Sequence, residues 1–351
     1  MFHRPSGSHI TVRVPAKLNL FLEVLGKRPD GFHELETLMM TVGVEDALSL
    51  NLRDDGRITL ECDWADGRRI GEVWRASRQA FEAQAAVERE NGDEHTSLAF
   101  RVCPSLPNDS VFAPLPPAEE NLVVRALRLL QSLALAEDSA SLARHGAAAR
   151  LIKSIPAAAG LGGASADAAV ALQAANRLWR LEWPSERLME VAARLGSDIP
   201  FFVGGDHRTA RTAVCRGRGE RIEWVDGVSR WPVVVVRPPV GLATAAVFRA
   251  CRPATEPRSV KPLLDALRRG DARRVRESLW NRLEEPAATL SPWIGRLRNW
   301  FSGWDLVGHQ MSGSGSSYFG LCWTARQALR IAAAARQAGL GVAFATRAPA
   351  A

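Results

Sequence analysis

Four short stretches of this 351-residue chain gather residue types that handle phosphate and protons. The densest is Pro156-Ala157-Ala158-Ala159-Gly160-Leu161-Gly162-Gly163-Ala164-Ser165-Ala166, a run of small residues between an apolar segment and a helical pattern. Small residues let a backbone turn tightly, and successive N–H groups followed by a helix N-terminus form a cradle for an anion such as phosphate. Close packing of a strand against a helix asks for the same residues, so this turn alone favours phosphate only modestly. It lacks the Gly-Lys-Ser/Thr of a P-loop, and Ser165 stands where a dinucleotide fingerprint needs its last glycine. The other stretches are Lys17-Leu18-Asn19, Gly196-Ser197-Asp198-Ile199-Pro200, and Ser312-Gly313-Ser314-Gly315-Ser316. Each alone reads as an exposed strand face, a turn former and a loop.

Lysine usage singles out part of this set. The chain has 45 basic residues but only four lysines, Lys17, Lys27, Lys153 and Lys261. Where arginine serves for generic positive charge, a surviving lysine marks a place that needs a compact ammonium on a thin stem. Chance accounts for some of the four.

These residues need elements to position them. Val12 to Val24 alternates with a period of two, a half-buried strand that puts Lys17 and Asn19 on one face, with Pro15 marking an edge or a bulge. Lys27 to Gly31 is a turn, and further strands fall within 35–62. Val73 to Glu90 has helical spacing and a proline-rich passage follows it; together 63–118 reads as a surface insertion. A helix starts near Asn121, and Ala149 to Ile155 is a strand leading into the glycine turn and a helix to Trp179. Another helix opens at Pro184 with Ser185 as its N-cap and ends at Gly196. The Ile-Pro pair after Asp198 implies extended backbone. A buried strand at Val233–Val236 opens a second domain, with helices near 259–269, 271–283 and 325–338. Strands and helices mix without strict alternation, which makes the fold class α+β.

Bulk properties remove other classes. A content of 46% hydrophobic and 24% charged residues is that of a globular protein, with no run long enough to span a bilayer. Residues Met1 to His9 lack a signal-peptide core, so a cytoplasmic enzyme is expected, with no membrane partner. The five cysteines form no C-x-x-C pair and the seven histidines no metal-binding spacing, so no metal held by dedicated protein ligands is expected. The +7 net charge is scattered among acids, which fits anionic small molecules better than nucleic acid.

In their order along the chain, Pro15-Ala16-Lys17-Leu18-Asn19-Leu20, Pro29-Asp30-Gly31-Phe32-His33, the glycine turn running into Asp167-Ala168-Ala169, Gly196 to Phe202 and Ser312 to Ser316 resemble the GHMP kinase superfamily. The resemblance spans roughly Val12 to Gly320 apart from 63–118. It implies a ribosomal-protein-S5-domain-2-like ATP-binding domain over 1–230 and a ferredoxin-like α/β domain over 231–351. It further implies ATP and Mg²⁺, a catalytic pair of Lys17 and Asp198, and phosphates held by residues 156–166, with Asn121 near the adenine. The first two segments are similar to the branch acting on a cytidine diphosphate-linked methylerythritol, which implies contacts from Asn19, Phe32, His33 and Lys153. Ala164, Ala166 and Phe32 depart from that branch, where Gly, Ser and Tyr are usual. A kinase for homoserine, mevalonate or a sugar stays open, as does a catalytically silent nucleotide binder. Oligomeric state is left at monomer or homodimer.

Overall fold

The computed structural model describes residues 8–65, 115–137, 145–204 and 211–346. The helix expected over 73–90, and most of the expected insertion 63–118, lie outside the described residues. The first part of the chain supplies β1 (His9–Lys27), β2 (His33–Arg53), β3 (Ile58–Trp64), α1 (Leu122–Glu137), β4 (Gly146–Lys153), α2 (Gly163–Leu178), α3 (Ser185–Ala193), α4 (Ile199–Val203), β5 (Thr212–Gly217) and β6 (Arg221–Trp224). The remainder supplies β7 (Val233–Arg237), α5 (Thr244–Ala250), α6 (Lys261–Arg269), α7 (Ala272–Ser278), β8 (Trp280–Asn281), α8 (Glu284–Leu290), α9 (Pro292–Ser302), β9 (Gly308–Met311), β10 (Tyr318–Leu321), α10 (Ala325–Gln337) and β11 (Val342–Thr346). None of the helices among the described residues is long and apolar enough to cross a membrane.

The long hairpin of β1 and β2 is the axis of a seven-stranded sheet ordered β3-β4-β2-β1-β8. Its register shifts between Pro15 and Ala16, so the proline marks a bulge. The far edge of β2 is shared: β4 pairs with Ala47–Arg53, and β5 pairs with Leu35–Met40. Between those two ladders, beyond the bond from Thr41 N–H to Arg211 O, no strand among the described residues pairs with this edge of β2, and Asp46 sits there. Alternate apolar side chains of the sheet meet α1 and α2 in a core that includes Val12, Val14, Leu48, Leu127 and Leu172.

The second sheet is antiparallel in the order β11-β7-β10-β9. With α5 to α9 between its first two strands and α10 between its last two, this is the ferredoxin-like order 4-1-3-2. Val233 to Val236 are fully buried, each burial being worth about 1.5–3 kcal/mol. A second core joins the sheets, with Leu18, Leu38 and Leu161 against Val233, Val235 and Phe319.

Several local expectations are corrected. Ser185 is the first helical residue of α3 and Pro184 holds the cap position, where no side chain accepts a hydrogen bond. That helix ends at Ala193, before Gly196, although the Gly196 N–H still reaches Ala192 O. The expected helix over 271–283 stops at Ser278, and Trp280-Asn281 instead pairs in parallel with Phe21-Leu22 of β1. Glu23 explains that diversion. Its fully buried carboxylate accepts from Trp280 Nε1, from both Nε and Nη2 of Arg282, and from the N–H groups of Val24 and Arg258. Burial raises the Glu23 pKa, but the bonds to Arg282 and the two backbone donors outweigh it and hold the carboxyl below its ordinary 4.5.

Removing one partner of a buried pair strands the other, at a cost of about 3–5 kcal/mol. Glu23→Ala is therefore expected to lower stability by about that much in urea denaturation at pH 7. Because the folded pKa is depressed, this contribution is present above pH 4.5 and is lost as pH falls through the lower folded value. The gap between wild type and variant closes in acid.

Candidate active site

The glycine-rich turn leaves β4 and enters α2 at the centre of a cavity of about 1060 Å³. Gly160 and Gly162 have φ values of +72° and +70°, which residues with a Cβ rarely adopt. At Gly160 the constraint is also spatial: a Cβ there would lie 2.1 Å from Ser312 O, in the second glycine turn. The two turns are bonded together, since Ser312 Oγ donates to Gly160 O at 3.0 Å and Ser317 N–H to Ala159 O at 3.2 Å. From below, Arg237 Nη2 donates to Ala157 O at 3.2 Å.

The interlocked turns hold the expected catalytic pair. Lys17 N–H donates to Leu161 O at 2.9 Å, fixing β1 to the loop. Lys17 Nζ donates to Asn19 Oδ1 at 2.5 Å and lies 3.4 Å from Asp198 Oδ2. Asn19 Nδ2 donates in turn to Thr37 Oγ1 at 2.8 Å, and Thr37 Oγ1 to Phe21 O at 2.6 Å. Lys17 is 4% exposed at its side chain, while Asp198 is 36% exposed and faces the cavity. A buried ammonium thus steadies a carboxylate that a ligand can still reach. Asp198 is not followed by extended backbone as expected. It has αR angles and opens α4, with Pro200 in the first turn, where the missing N–H costs nothing.

Residues 156–165 all line the cavity, and so do Asn121, Phe32, His33, Asn19, Lys17, Asp198 and Lys153. Ala166 does not. Its side chain is fully buried in the core of α2, because successive helical positions turn away from a common face. The expectation that Ala166 contacts phosphate is therefore corrected, and Ser165 is the hydroxyl of the first turn that faces the cavity. Ala164 lies within the helix, so its Cβ is tolerated. Asn121 Oδ1 accepts from Val123 N–H at 2.9 Å at the start of α1.

Lys153 is placed differently from the other candidate ligand contacts. Its ammonium donates to Asp46 and, at 2.5 Å, to Asp167 Oδ2. Asp46 Oδ1 accepts from Ser154 and Ile155 N–H at 2.5 and 2.8 Å, replacing the strand partner that β4 has run past. Three buried charges thus tie β2, β4 and α2 together under the glycine turn. Burial pushes Asp167 up to about 8, Lys153 pulls it down, and the Asp46 carboxylate raises it again.

The far end of the cavity is lined by Phe32, His33, Lys27, Phe248, Arg249, Thr244 and Arg218. The His33 and Phe248 rings lie 5.2 Å apart, and Phe32 is 49% exposed. Burial and the Lys27 charge lower the His33 pKa below 6.5. Three of the four lysines, Lys17, Lys27 and Lys153, line the one cavity, as lysine scarcity led one to look for. Arg218, Thr244, Phe248 and Asp46 were not singled out in the sequence. They arrive from distant elements, and only the Gly217-Arg218-Gly219 turn carries a local signal.

A small-residue turn running into a helix N-terminus, a Lys–Asp pair and a second glycine turn thus share one cavity. Models of the GHMP kinases N terminal domain and the GHMP kinases C terminal domain match residues 121–206 and 263–340. The class that fold and site define is the GHMP kinases. The 4-diphosphocytidyl-2-C-methyl-D-erythritol kinase of Pelotomaculum thermopropionicum is 35% identical over 93% of this chain and 94% of its own. The enzyme of that name from Rhodopirellula baltica is 36% identical over 90% and 87%. A crystal structure of 4-(cytidine 5'-diphospho)-2C-methyl-D-erythritol kinase superposes with a TM-score of 0.66 at 31% identity, covering 96% of this chain and 98% of that one. A homoserine kinase from Cytophaga hutchinsonii, at 17% identity and a TM-score of 0.62, shares the fold. This chain belongs to the 4-diphosphocytidyl-2-C-methyl-D-erythritol kinase family.

The buried cluster yields a contrast between two variants. Asp167→Asn removes one carboxylate and is expected to cost less stability at pH 7 than Lys153→Met, which leaves Asp46 and Asp167 buried without their cation at a cost of about 3–5 kcal/mol. Asp167 holds its proton between its ordinary 3.8 and about 8, so its contribution to stability falls as pH rises across that window. Chemical denaturation from pH 5 to 9 reads both effects, and Asp167→Asn should flatten the slope.

Proposed function

We propose that this protein phosphorylates the 2-hydroxyl of 4-(cytidine 5'-diphospho)-2-C-methyl-D-erythritol with ATP, releasing ADP, as a step of non-mevalonate isoprenoid precursor synthesis. The observation that carries the reading is the Lys17–Asp198 pair at 3.4 Å, facing one cavity that also holds the glycine turn and the aromatic end. Each part of the two substrates then has a counterpart. The glycine turn and the N-terminus of α2 take the triphosphate through backbone N–H groups. Asn121 stands at the entry to α1 beside the apolar Leu122 and Pro116, a setting for the adenine. Phe32, His33 and Phe248 offer flat faces for the cytosine.

In the transfer, Asp198 takes the proton of the 2-hydroxyl. The oxygen attacks the terminal phosphorus in line, the bond to the β-phosphate oxygen breaks, and ADP leaves. Lys17 holds the carboxylate in place and sets its positive charge beside the developing alkoxide. Asn19 and Thr37 fix the lysine head, so little reorganisation is left for the transition state. Ser165, which lines the cavity, would offer its Oγ to a Mg²⁺ bound with the triphosphate, and that ion would supply charge neutralisation. Lys153 serves this site from beneath the loop, through the cluster with Asp46 and Asp167.

The test is turnover. Mg-ATP and cytidine-diphospho-methylerythritol should give ADP and the 2-phosphate. A positioned base is worth about 10²–10⁴-fold in rate, so Asp198→Asn should lose that much kcat while still binding ATP in calorimetry. Turnover of homoserine or mevalonate in place of this alcohol would overturn the substrate. ATP binding with no alcohol phosphorylated would overturn the activity.

A further inference from the structure

We infer that Arg218 is a specificity residue that grips the diphosphate of the substrate, held ready by stacking on Phe32. The inference rests on the reading above and adds a residue to it. Arg218 sits in the tight turn joining β5 and β6, between Gly217 and Gly219, whose φ values are +74° and +123°. Its backbone N–H is tied to Glu220 Oε2 at 2.6 Å, so the turn presents the side chain from a fixed base. The guanidinium carbon lies 4.7 Å from the centroid of the Phe32 ring, and both residues line the cavity.

Three features set Arg218 apart from Lys27 and Arg249, the other cations lining that end. First, its neighbour Gly219 packs against the catalytic corner. A Cβ there would lie 3.5 Å from Ser197 O and 3.6 Å from Asp198 Oδ1. The same turn therefore spans the distance between the base-binding ring and the proton acceptor, which is the stretch a diphosphate linking cytidine to the alcohol has to bridge. Second, among the described residues no carboxylate stands in ion-pair range of Arg218. Its closest polar contact is a weak one at 3.4 Å, from Nη2 to Ala193 O. The nearby acids have other partners: Asp30, which feels the Arg218 charge, is paired with Arg28 at 3.1 Å, Glu34 is paired with Arg28 and Arg221, and Glu220 accepts the Arg218 backbone N–H. Third, with one face over Phe32, the guanidinium edge carries only the long contact from Nη2 to Ala193 O. That edge carries N–H groups in a planar fork that matches two phosphate oxygens at once.

Stacking also gives Phe32 a purpose beyond its ring face. A tyrosine at this position would add a hydroxyl but no charge. Phenylalanine with Arg218 above it offers an apolar face and a cation together, for a ligand that is aromatic at one end and anionic next to it.

Competitive inhibition with cytidine and cytidine diphosphate tests the inference. Wild type should bind the diphosphate more tightly than cytidine. Arg218→Ala should weaken the diphosphate by about 10- to 100-fold, the usual effect of losing a charge-assisted contact. Cytidine and ATP should change by less than threefold. Arg218→Lys should recover only part of the loss, because a point charge cannot make the fork. A diphosphate affinity unchanged in Arg218→Ala would overturn the inference, and so would equal losses for cytidine and its diphosphate, which would put Arg218 on the base instead. Failure of wild type to bind either cytidine compound would overturn the substrate reading itself.

Discussion

The close approach of two glycine turns is the constraint on which the site depends. Gly160 and the Ser312 carbonyl come so near that no side chain fits between them, and the two turns belong to different sheets. One leads from β4 into α2, and the other connects β9 to β10. The contact joins the Gly160 carbonyl to Ser312 Oγ and the Ala159 carbonyl to the Ser317 N–H, so the two turns move as one. It also sets the depth at which β1 can pass, since Lys17 N–H bonds to the carbonyl of Leu161. Lys17, Asn19 and Gly313 then crowd together, and a Cβ on Gly313 would come within 3.1 Å of Asn19 Oδ1. The position of the ammonium is thus a consequence of how the turns mesh.

Charge is handled in two ways around that centre. Where a group must act, as at Asp198, it is left partly open and steadied from one side. Where charge only has to hold elements in place, it is sealed and matched. Glu23 receives five donors from three parts of the chain, and Lys153 is enclosed by two carboxylates. The first arrangement leaves a carboxylate open to solvent and to whatever enters the cavity. The second trades solvation for directional bonds, which specify one geometry even where their net energy is small.

Much of this was legible in the residues. Period-two alternation put Lys17 and Asn19 on one face of β1, and the structure bonds their heads together. The glycine turn read correctly as a strand-to-helix connection, and three of the four lysines that scarcity singled out share a cavity. What escaped was set by contacts distant in sequence. Arg218 and Thr244 look like ordinary turn and helix residues until the sheets assemble. Trp280-Asn281 is too short to show a strand period, and its pairing is imposed by Glu23, some 260 positions earlier. Ile199-Pro200 followed the rule that residues before proline are extended, and the start of α4 overrode it. Ala166 was grouped with its loop neighbours because the sequence shows composition, whereas the first turn of α2 decides which side chains turn inward.

The short strand β8 has a consequence for how this chain is put together in time. The boundary at 231 looks like a natural seam, two residues before the second sheet begins. Yet β8 and Arg282, from beyond the seam, complete the edge of the first sheet and neutralise Glu23 within it. A ribosome releasing the first 230 residues therefore exposes a half with a buried-acid position still unmatched and an edge of β1 still unpaired. The first sheet is complete only with residues from beyond the seam, so a cut at 231 would remove both the edge strand beside β1 and the counter-charge of Glu23.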